Sequence, residues 1–206
     1  MQYNSDIHHR RSIRLKGYDY SQAGAYFVTI CAQSRECLFG DVIESEMRVN
    51  NAGRMIRKWW NESAMKFNNI ELDESVIMPN HFHGIINIVG AVLCGRPEMN
   101  EQTKIGQPNN TRQPHNIGQP RRVAPTVGNI VEWFKTMTTN EYIRNVRHDN
   151  WPPFSGKLWQ RNYYEHIIRN EDELNRTKEY IVNNPARWAE DEENPAGRGG
   201  PMWPPV

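Results

Sequence analysis

The chain has 206 residues, of which 37% are hydrophobic and 24% charged, enough for one buried core but hardly for two full domains. Its three cysteines lack paired spacing, which argues against a disulfide framework or a zinc knuckle, and no apolar run approaches the roughly 18–20 residues of a membrane span. Residues 1–170 hold 21 basic and 16 acidic residues, whereas 171–206 hold 4 and 8. We expect a reduced, cytoplasmic protein without a membrane segment, and its basic body is compatible with nucleic-acid binding.

The first third of the chain has the patterns of two strands and one helix. Residues 25–33 are rich in β-branched and aromatic side chains and predict a strand. Residues 36–44 predict a second strand, which the short Ser34-Arg35 segment would join to the first as a hairpin. In residues 51–67 apolar side chains recur at helical spacing with lysine and arginine between them, which predicts an amphipathic helix with a basic outer face.

Two further strands and a long helix are predicted in the middle of the chain. Residues 75–89 contain two strand-like runs interrupted by Pro79-Asn80, which indicates either a turn or a bend in one long strand. Residues 127–146 return to helical spacing, and Thr126 is the candidate N-cap of this helix. Between these elements, residues 91–125 repeat IGQP and are poor in apolar side chains, so we interpret them as a mobile basic loop inserted in the domain.

The last part of the predicted domain, which we place at residues 1–188, holds a fifth strand and a third helix. Residues 158–168 have strand composition, and 171–183 have helical spacing. Asn170 can cap this helix and Pro185 stops it. Residues 189–206 have the acidic, proline- and glycine-rich composition of a disordered tail.

Two histidines stand out in the second strand-like run of residues 75–89. In a strand, residues i and i+2 share a face, so His81 and His83 project side by side while Phe82 enters the opposite, helix-covered face. Two imidazoles on one face form half of a divalent-cation site, although a pair of surface or half-buried histidines has the same spacing. Gly84 lacks a side chain next to this pair, which we interpret as space for a substrate.

Tyr180 and Asn184 lie four residues apart on the predicted last helix and therefore share one face. A tyrosine beside a cation can act as a nucleophile once its phenol is deprotonated, and an amide oxygen is a suitable hard ligand for Mg²⁺ or Mn²⁺. The same two residues also fit a core tyrosine and an ordinary helix stop.

Three segments together resemble a known family: MPNHFHGIINI (78–88), LWQRNYYEHIIRNEDEL (158–174) and YIVNNP (180–185). They are similar to the single-tyrosine HUH transposases and, within them, most similar to the REP-associated tyrosine transposases. The likeness extends from Ile13 to Trp188, interrupted by the predicted loop. It implies an α+β, ferredoxin-like fold with an antiparallel sheet of about five strands and helices packed on it.

The resemblance also implies an activity and assigns its residues. The histidine pair of the family falls on His81 and His83, its catalytic tyrosine on Tyr180, and the polar residue that completes its metal site on Asn184. Members of the family use Mg²⁺ or Mn²⁺ to cleave single-stranded DNA next to a hairpin through a covalent 5′-phosphotyrosine, as monomers or homodimers. The candidate DNA contacts are Arg10, Arg11, Arg14, Lys16, Arg57, Lys58, Arg121, Arg122, Lys135, Gln160 and Arg161.

Three alternatives stay open. Tyr164 is a rival nucleophile within the strand predicted at 158–168. The chain could bind DNA hairpins without cleaving them. It could also be a metal-dependent hydrolase that activates water, for which Glu71, Asp73 and Glu74 are the acidic residues closest in sequence to the histidines.

Overall fold

The structure is a computed structural model and describes residues 19–89 and 125–197. The predicted loop up to residue 124, six candidate DNA contacts (Arg10, Arg11, Arg14, Lys16, Arg121 and Arg122) and the last nine residues of the predicted tail lie outside this part. The described strands and helices are β1 (Gly24–Cys31), β2 (Gly40–Ile43), β3 (Glu46–Val49), α1 (Asn51–Lys66), β4 (Ile70–Ile77), β5 (His81–Ile88), α2 (Val127–His148), β6 (Tyr164–Ile168) and α3 (Glu171–Asn183). Two short 3₁₀ helices span Gln33–Arg35 and Pro185–Glu190.

The main sheet is four-stranded and antiparallel, in the order β4-β5-β1-β6. Without the β2–β3 hairpin, the elements up to β6 follow the order β-α-β-β-α-β. In the sheet, β1 lies between β5 and β6. This connectivity is that of the ferredoxin-like fold. The predicted α+β class and ferredoxin-like architecture are therefore confirmed.

The predicted pairing of residues 36–44 with β1 is wrong. Ser34 and Arg35 have positive φ values of 58° and 57°, and the chain continues into a 3₁₀ turn instead of a hairpin. The strand that forms in this region, β2, pairs with β3 in a separate two-stranded sheet. Glu44 and Ser45 connect them with φ values of 51° and 65°, the backbone of a tight two-residue turn that the sequence does not mark with asparagine or glycine.

Most of the other predicted elements have boundaries close to the observed ones, but β4 begins at Ile70, five residues before the run predicted from Ser75. Pro79-Asn80 forms a turn, because β4 and β5 on either side of it are antiparallel neighbours. The strand predicted over 158–168 is shorter, since only Tyr164–Ile168 joins the sheet and Trp159 makes an isolated bridge to Ala32. The last helix has the predicted bounds, and the Asn170 side chain accepts a hydrogen bond from the Glu173 backbone N–H at 2.9 Å.

The two faces of the sheet have different roles. On one face Phe82 packs against Trp60 of α1 and Phe134 of α2, with ring centroids 4.6 and 5.5 Å apart. This contact confirms the predicted burial of Phe82 beneath helices. The other face carries a smaller cluster, in which Phe27 and Ile85 of the sheet pack with Ile181 of α3. Both histidines lie on this second face.

Gly84 does not leave space for a substrate, so that interpretation was wrong. Its α-hydrogens face α1, and a Cβ placed there would lie 2.5 Å from Cζ2 of Trp60. The missing side chain lets the Trp60 indole pack directly on the backbone of β5. The glycine thus serves the core on the face opposite the histidines.

We predict that Gly84→Ala destabilises the fold, because the rigid indole and strand must move apart. The free energy of unfolding should fall by about 1–3 kcal/mol, the usual cost of overpacking a core. Denaturant titration followed by circular dichroism measures this change. Ser75→Ala, at the exposed position paired with Gly84 on β4, is the control and should stay within about 0.5 kcal/mol of the wild type. Equal stability of Gly84→Ala and Ser75→Ala would contradict the packing argument.

Candidate functional site

Strand pairing places the two histidines deep in the protein. His83 lies opposite Thr29 and His81 opposite Cys31 in the β1–β5 ladder, near the end where β5 begins. The side chains are almost fully buried, with relative exposures of 0% for His81 and 1% for His83. The alternative of an exposed surface pair is therefore excluded.

The two imidazoles face each other through their Nε2 atoms, which are 3.0 Å apart. Each ring also has a hydrogen-bond partner at its other nitrogen, Nδ1. Nδ1 of His83 is 2.8 Å from Oγ1 of Thr29, and Nδ1 of His81 is 2.9 Å from Oδ1 of Asn80. Such outer hydrogen bonds orient the rings and select which nitrogen carries the proton.

The Asn80 amide determines the tautomer of His81. Its Nδ2 donates to the backbone carbonyls of Arg35 and Glu193, which can only accept, so its Oδ1 must be the atom that faces His81. Nδ1 of His81 therefore carries the proton and donates to Oδ1. Consequently Nε2 of His81 presents a lone pair toward His83, as a metal ligand requires.

Both histidines are neutral near neutral pH. Burial lowers the pKa of His83 to about 3. Burial also lowers the pKa of His81 well below its ordinary value, and the neighbouring His83 and the positive charge of Arg35 lower it further, whereas a hydrogen bond with Asn184 acts in the opposite direction. A neutral imidazole is the form that binds a cation.

Tyr180 and Asn184 approach this pair from α3. The Tyr180 ring centroid is 5.4 Å from that of His83 and 6.0 Å from that of Phe27. Asn184 is 2% exposed and its side chain lies within hydrogen-bond reach of His81 and of Tyr180, although its buried Oδ1 accepts no hydrogen bond of good geometry in the described part of the chain. The structure thus brings together all four residues that the sequence singled out, although they lie about a hundred positions apart.

The phenol of Tyr180 is partly buried, and its surroundings act on it in both directions. Burial raises its pKa, and the negative charge of Asp191 adds to this rise. A hydrogen bond from Asn184 and the positive charge of Arg187 lower the pKa. In the absence of other charges the phenol is therefore protonated at neutral pH.

Asp191 is a site residue that the sequence analysis missed. Its Oδ2 lies 3.9 Å from Nε2 of His81. Within the described ranges, His81, His83 and Asp191 form the one group of three or more histidine, cysteine or acidic residues whose ligand atoms all lie within 4.8 Å of one another. Asp191 falls in the predicted disordered tail, where composition gives no indication that one carboxylate lies beside the histidines.

The first part of that predicted tail is folded, which corrects the expectation for residues 189–197. Arg35 Nε forms an ion pair with Glu193 at 2.9 Å, and its Nη1 donates to the carbonyl of Glu192. Asn80 donates to the carbonyl of Glu193, whose side chain is buried. These contacts hold the segment over the histidines. They could not be predicted from the composition of the segment, which is typical of disorder.

The donor set fits a hard divalent cation. Neighbouring ligand nitrogens of an octahedral ion with bonds of about 2.1 Å lie about 3.0 Å apart, which matches the distance between the two Nε2 atoms. The unpartnered Oδ1 of Asn184 is a neutral oxygen donor of the kind that Mg²⁺ and Mn²⁺ accept. The Asp191 carboxylate adds a negatively charged oxygen at the same place.

The acidic residues considered for a hydrolase lie elsewhere. Asp73 forms an ion pair with Lys178 of α3 at 2.8 Å, and Glu71 and Glu74 are exposed on β4. None of the three belongs to the cluster around the histidines. The rival nucleophile Tyr164 lies opposite Thr29 in β6, so it shares the histidine face of the sheet, and burial raises its pKa.

Two of the candidate DNA-binding lysines have partners within the protein. Lys58 forms an ion pair with Glu141 at 2.9 Å. Nζ of Lys135 donates to the carbonyls of Gln160 and Asn162, and burial lowers its pKa to about 8. Both lysines therefore already have partners within the protein, whatever further contacts they make.

Gln160 also serves the fold, since its Nε2 donates to the carbonyl of Ala32 at 3.3 Å. Arg161 is exposed beside it and lines a groove along α2. Arg57 is exposed on α1 and has no hydrogen bond or ion pair within the described ranges. Among the predicted DNA contacts that the structure describes, the side chains of Arg57 and Arg161 thus have the fewest partners within the protein.

Comparison with known proteins assigns the chain to a protein family. The chain is 41% identical over 192 residues to a protein of Haemophilus influenzae described as uncharacterised, covering 92% of this chain and 96% of the relative. The chain belongs to the same family as this protein. No protein-family model matches the sequence.

Two solved structures are similar to the chain. One is a REP-associated tyrosine transposase bound to a REP hairpin, with 16% identity, a TM-score of 0.48 and coverage of 84% of this chain and 73% of that one. The other, provisionally named a transposase, comes from Deinococcus radiodurans, with 14% identity, a TM-score of 0.41 and coverage of 82% and 95%. At such identities the chemistry depends on the side chains of the site, not on the shared architecture.

None of the helices in residues 19–89 and 125–197 is long and apolar enough to cross a membrane.

We predict that the metal-free protein loses stability as the pH falls below about 6.5. His83 has a pKa of about 3 when folded and about 6.5 when unfolded, so between these values the unfolded chain binds more protons. Each such histidine contributes a slope of up to about 1.4 kcal/mol per pH unit. Denaturant titrations in chelator from pH 7 to 5.5 measure it, and His83→Gln should have a smaller slope. An unchanged slope in this variant would contradict the assignment.

Proposed function

We propose that this protein is a single-strand DNA endonuclease and strand transferase that cleaves next to DNA hairpins through a covalent 5′-phosphotyrosine. The observation that carries the proposal is the convergence of four groups at one point. Two neutral imidazoles face each other at 3.0 Å, and a tyrosine ring and a buried, unpartnered amide oxygen from α3 lie against them. This combination provides a cation site with a nucleophile beside it.

His81, His83 and Asn184 would hold the cation, with Asp191 close enough to join them. When bound, Mg²⁺ or Mn²⁺ supplies positive charge that neutralises and polarises the scissile phosphate. Asn80 and Thr29 keep the two imidazoles in position from behind, so that little rearrangement precedes binding.

Tyr180 would be the nucleophile. Its phenol loses a proton to solvent, and the phenolate oxygen forms a bond to phosphorus while the bond from phosphorus to the 3′ oxygen breaks. The released 3′ oxygen takes up a proton and becomes a hydroxyl, and the 5′ phosphate stays on Tyr180. Because the phosphotyrosine keeps the energy of the broken bond, attack by a 3′ hydroxyl rejoins strands without ATP.

The proposed site draws all its residues from one chain. Tyr180 reaches the histidines of its own sheet, since α3 packs on the face that carries them. This arrangement supports cleavage by a monomer that uses its own tyrosine.

A second candidate function is a metal-dependent phosphodiesterase that uses activated water. Asp191 favours it, because such a reaction needs a carboxylate beside the cation to accept a proton. Burial raises the pKa of Asp191, which makes its carboxylate a better proton acceptor. The two chemistries differ in whether DNA becomes attached to the protein.

The decisive experiment incubates the protein with Mn²⁺ and an end-labelled hairpin carrying single-stranded flanks. We expect a covalent protein–DNA adduct that resists denaturing electrophoresis and disappears in Tyr180→Phe. The matched variant Tyr164→Phe, on the same face of the sheet, should still form the adduct. Cleavage without an adduct would support the hydrolase, and binding without cleavage would support a hairpin-binding protein. An adduct lost only in Tyr164→Phe would move the nucleophile to Tyr164.

Cation binding can be tested without DNA. Isothermal titration with Mn²⁺ should give an affinity that falls by at least about tenfold in His83→Ala and in Asn184→Ala, because each removes a ligand. His148→Ala, at the exposed end of α2, should bind Mn²⁺ like the wild type. The ligand assignment is wrong if Asn184→Ala and His148→Ala behave alike.

A further inference from the structure

Trp188 lies beside the histidine pair, and the packing of the core does not explain its position. Its ring centroid is 6.0 Å from that of His81. The side chain is partly exposed, and in the described part of the chain it belongs to neither of the two hydrophobic clusters. Its indole N–H makes no hydrogen bond there either. A buried tryptophan usually has a partner for its N–H and contributes a large apolar area to the core, so this ring is available to a ligand at the edge of the site.

Arg187 is the second group at this edge. Asn184 has helical backbone angles, with φ −57° and ψ −43°, so the helical path of α3 continues into the 3₁₀ helix Pro185–Glu190. Residues at i, i+4 and i+7 of a helix share a face, which places Arg187 on the side of Tyr180 and Asn184. Its positive charge is close enough to act on the phenol of Tyr180. Within residues 19–89 and 125–197 its guanidinium has no ion pair or hydrogen bond.

Together these two side chains indicate the chemistry of the ligand. An accessible indole face can stack on any nucleobase, because every base has a π-face, and an unpaired guanidinium binds a phosphate. Cations that follow the backbone and aromatic rings that stack on the bases are the usual means of binding a single strand. An apolar molecule would use the ring but leave the cation unpaired, and free phosphate would do the reverse. A nucleotide uses both.

The location agrees with the proposed chemistry. The scissile phosphate has to lie between the phenol of Tyr180 and a cation held by His81 and His83. Arg187 is close to that phenol, and Trp188 lies beside His81. The nucleotide that adjoins the scissile phosphate can therefore contact both residues.

We propose that Trp188 and Arg187 bind the nucleotide next to the scissile phosphate. The base stacks on the indole of Trp188, and the guanidinium of Arg187 pairs with the next phosphate of the strand. Because stacking does not read the hydrogen-bonding edge of a base, the contact tolerates any base at this position. The inference rests on the proposed action on single-stranded DNA but concerns binding, so it can fail independently of the chemistry.

The first test locates the stacked base by fluorescence anisotropy of a labelled hairpin with single-stranded flanks, in chelator so that no cation-dependent cleavage occurs. Abasic sites are placed one at a time in the flanks, and each DNA is measured with wild type and with Trp188→Leu. At one position next to the cleavage point, loss of the base should weaken binding to the wild type about tenfold, as expected for one stacked base, and leave binding to Trp188→Leu unchanged. Trp188→Tyr keeps an aromatic ring and should respond like the wild type. Equal responses of wild type and Trp188→Leu at every position would overturn the proposal.

A purely structural role of Trp188 has a different signature. If the ring only supports His81, Trp188→Leu should weaken Mn²⁺ binding in isothermal titration and weaken DNA binding at no particular position. A stacking role leaves the Mn²⁺ affinity of Trp188→Leu at the wild-type value, which also establishes that the variant is folded. Reduced Mn²⁺ affinity together with uniform losses along the flanks would therefore contradict the proposal.

The second test concerns Arg187. Uncharged methylphosphonate linkages replace the phosphates of the flanks one at a time, and one linkage next to the stacked base should weaken binding to the wild type but not to Arg187→Gln. The slope of log affinity against log salt should be smaller by about 0.7 in this variant, the value for one phosphate of a single strand. Arg144→Gln removes the same charge from an exposed position on α2, which packs on the opposite face of the sheet, and should respond like the wild type. Equal responses of the two variants at that linkage would exclude the contact.

The two proposals fail in different ways. Adduct formation by the wild type, with unchanged DNA affinity in Trp188→Leu and Arg187→Gln, would leave the cleavage proposal intact and reject the nucleotide site. Position-specific losses in both variants without any adduct in the wild type would retain the nucleotide site and reject the tyrosine chemistry.

Discussion

The hydrogen bonds of Asn80 connect the parts of the molecule on which the site depends. Its backbone carbonyl accepts from Ala32 at the end of β1, and its amide nitrogen donates to Arg35 and Glu193. Its amide oxygen accepts from His81. One side chain thus orients a buried imidazole and ties the C-terminal segment to the sheet. Since an unpaired buried amide is costly, this geometry is strongly constrained.

Burial is the second constraint on the site, and it acts on all its titratable groups. It keeps both histidines neutral and ready to bind a cation, and it raises the pKa of Tyr180, so that the phenol stays protonated in the absence of other charges. The low exposure that makes an isolated charge unfavourable also strengthens the interaction between a cation and its ligands. A cation bound at this cluster would therefore interact strongly with its ligands.

Much of the architecture follows from local patterns. Period-two and helical spacing, capping residues such as Asn170 and the turn at Pro79-Asn80 predict β1, β5 and all three helices with nearly the observed bounds. The β2–β3 hairpin was missed because its turn uses Glu44 and Ser45 in a conformation that these residues rarely adopt. The role of Gly84 was missed because no local pattern shows that Trp60 packs against it.

The strand alternation in the sequence already required that His81 and His83 share a face and that Phe82 take the opposite one, because side chains in a strand alternate with a period of two. Sequence motifs also singled out Tyr180 and Asn184. Their approach to the histidines depends on the packing of α3 against one particular face of the sheet, which involves contacts between residues about a hundred positions apart. The same holds for Asp191, whose position results from the contacts of its neighbour Glu193 with Arg35 and Asn80. Composition describes a segment by itself, whereas these contacts exist only once the segment meets the folded sheet.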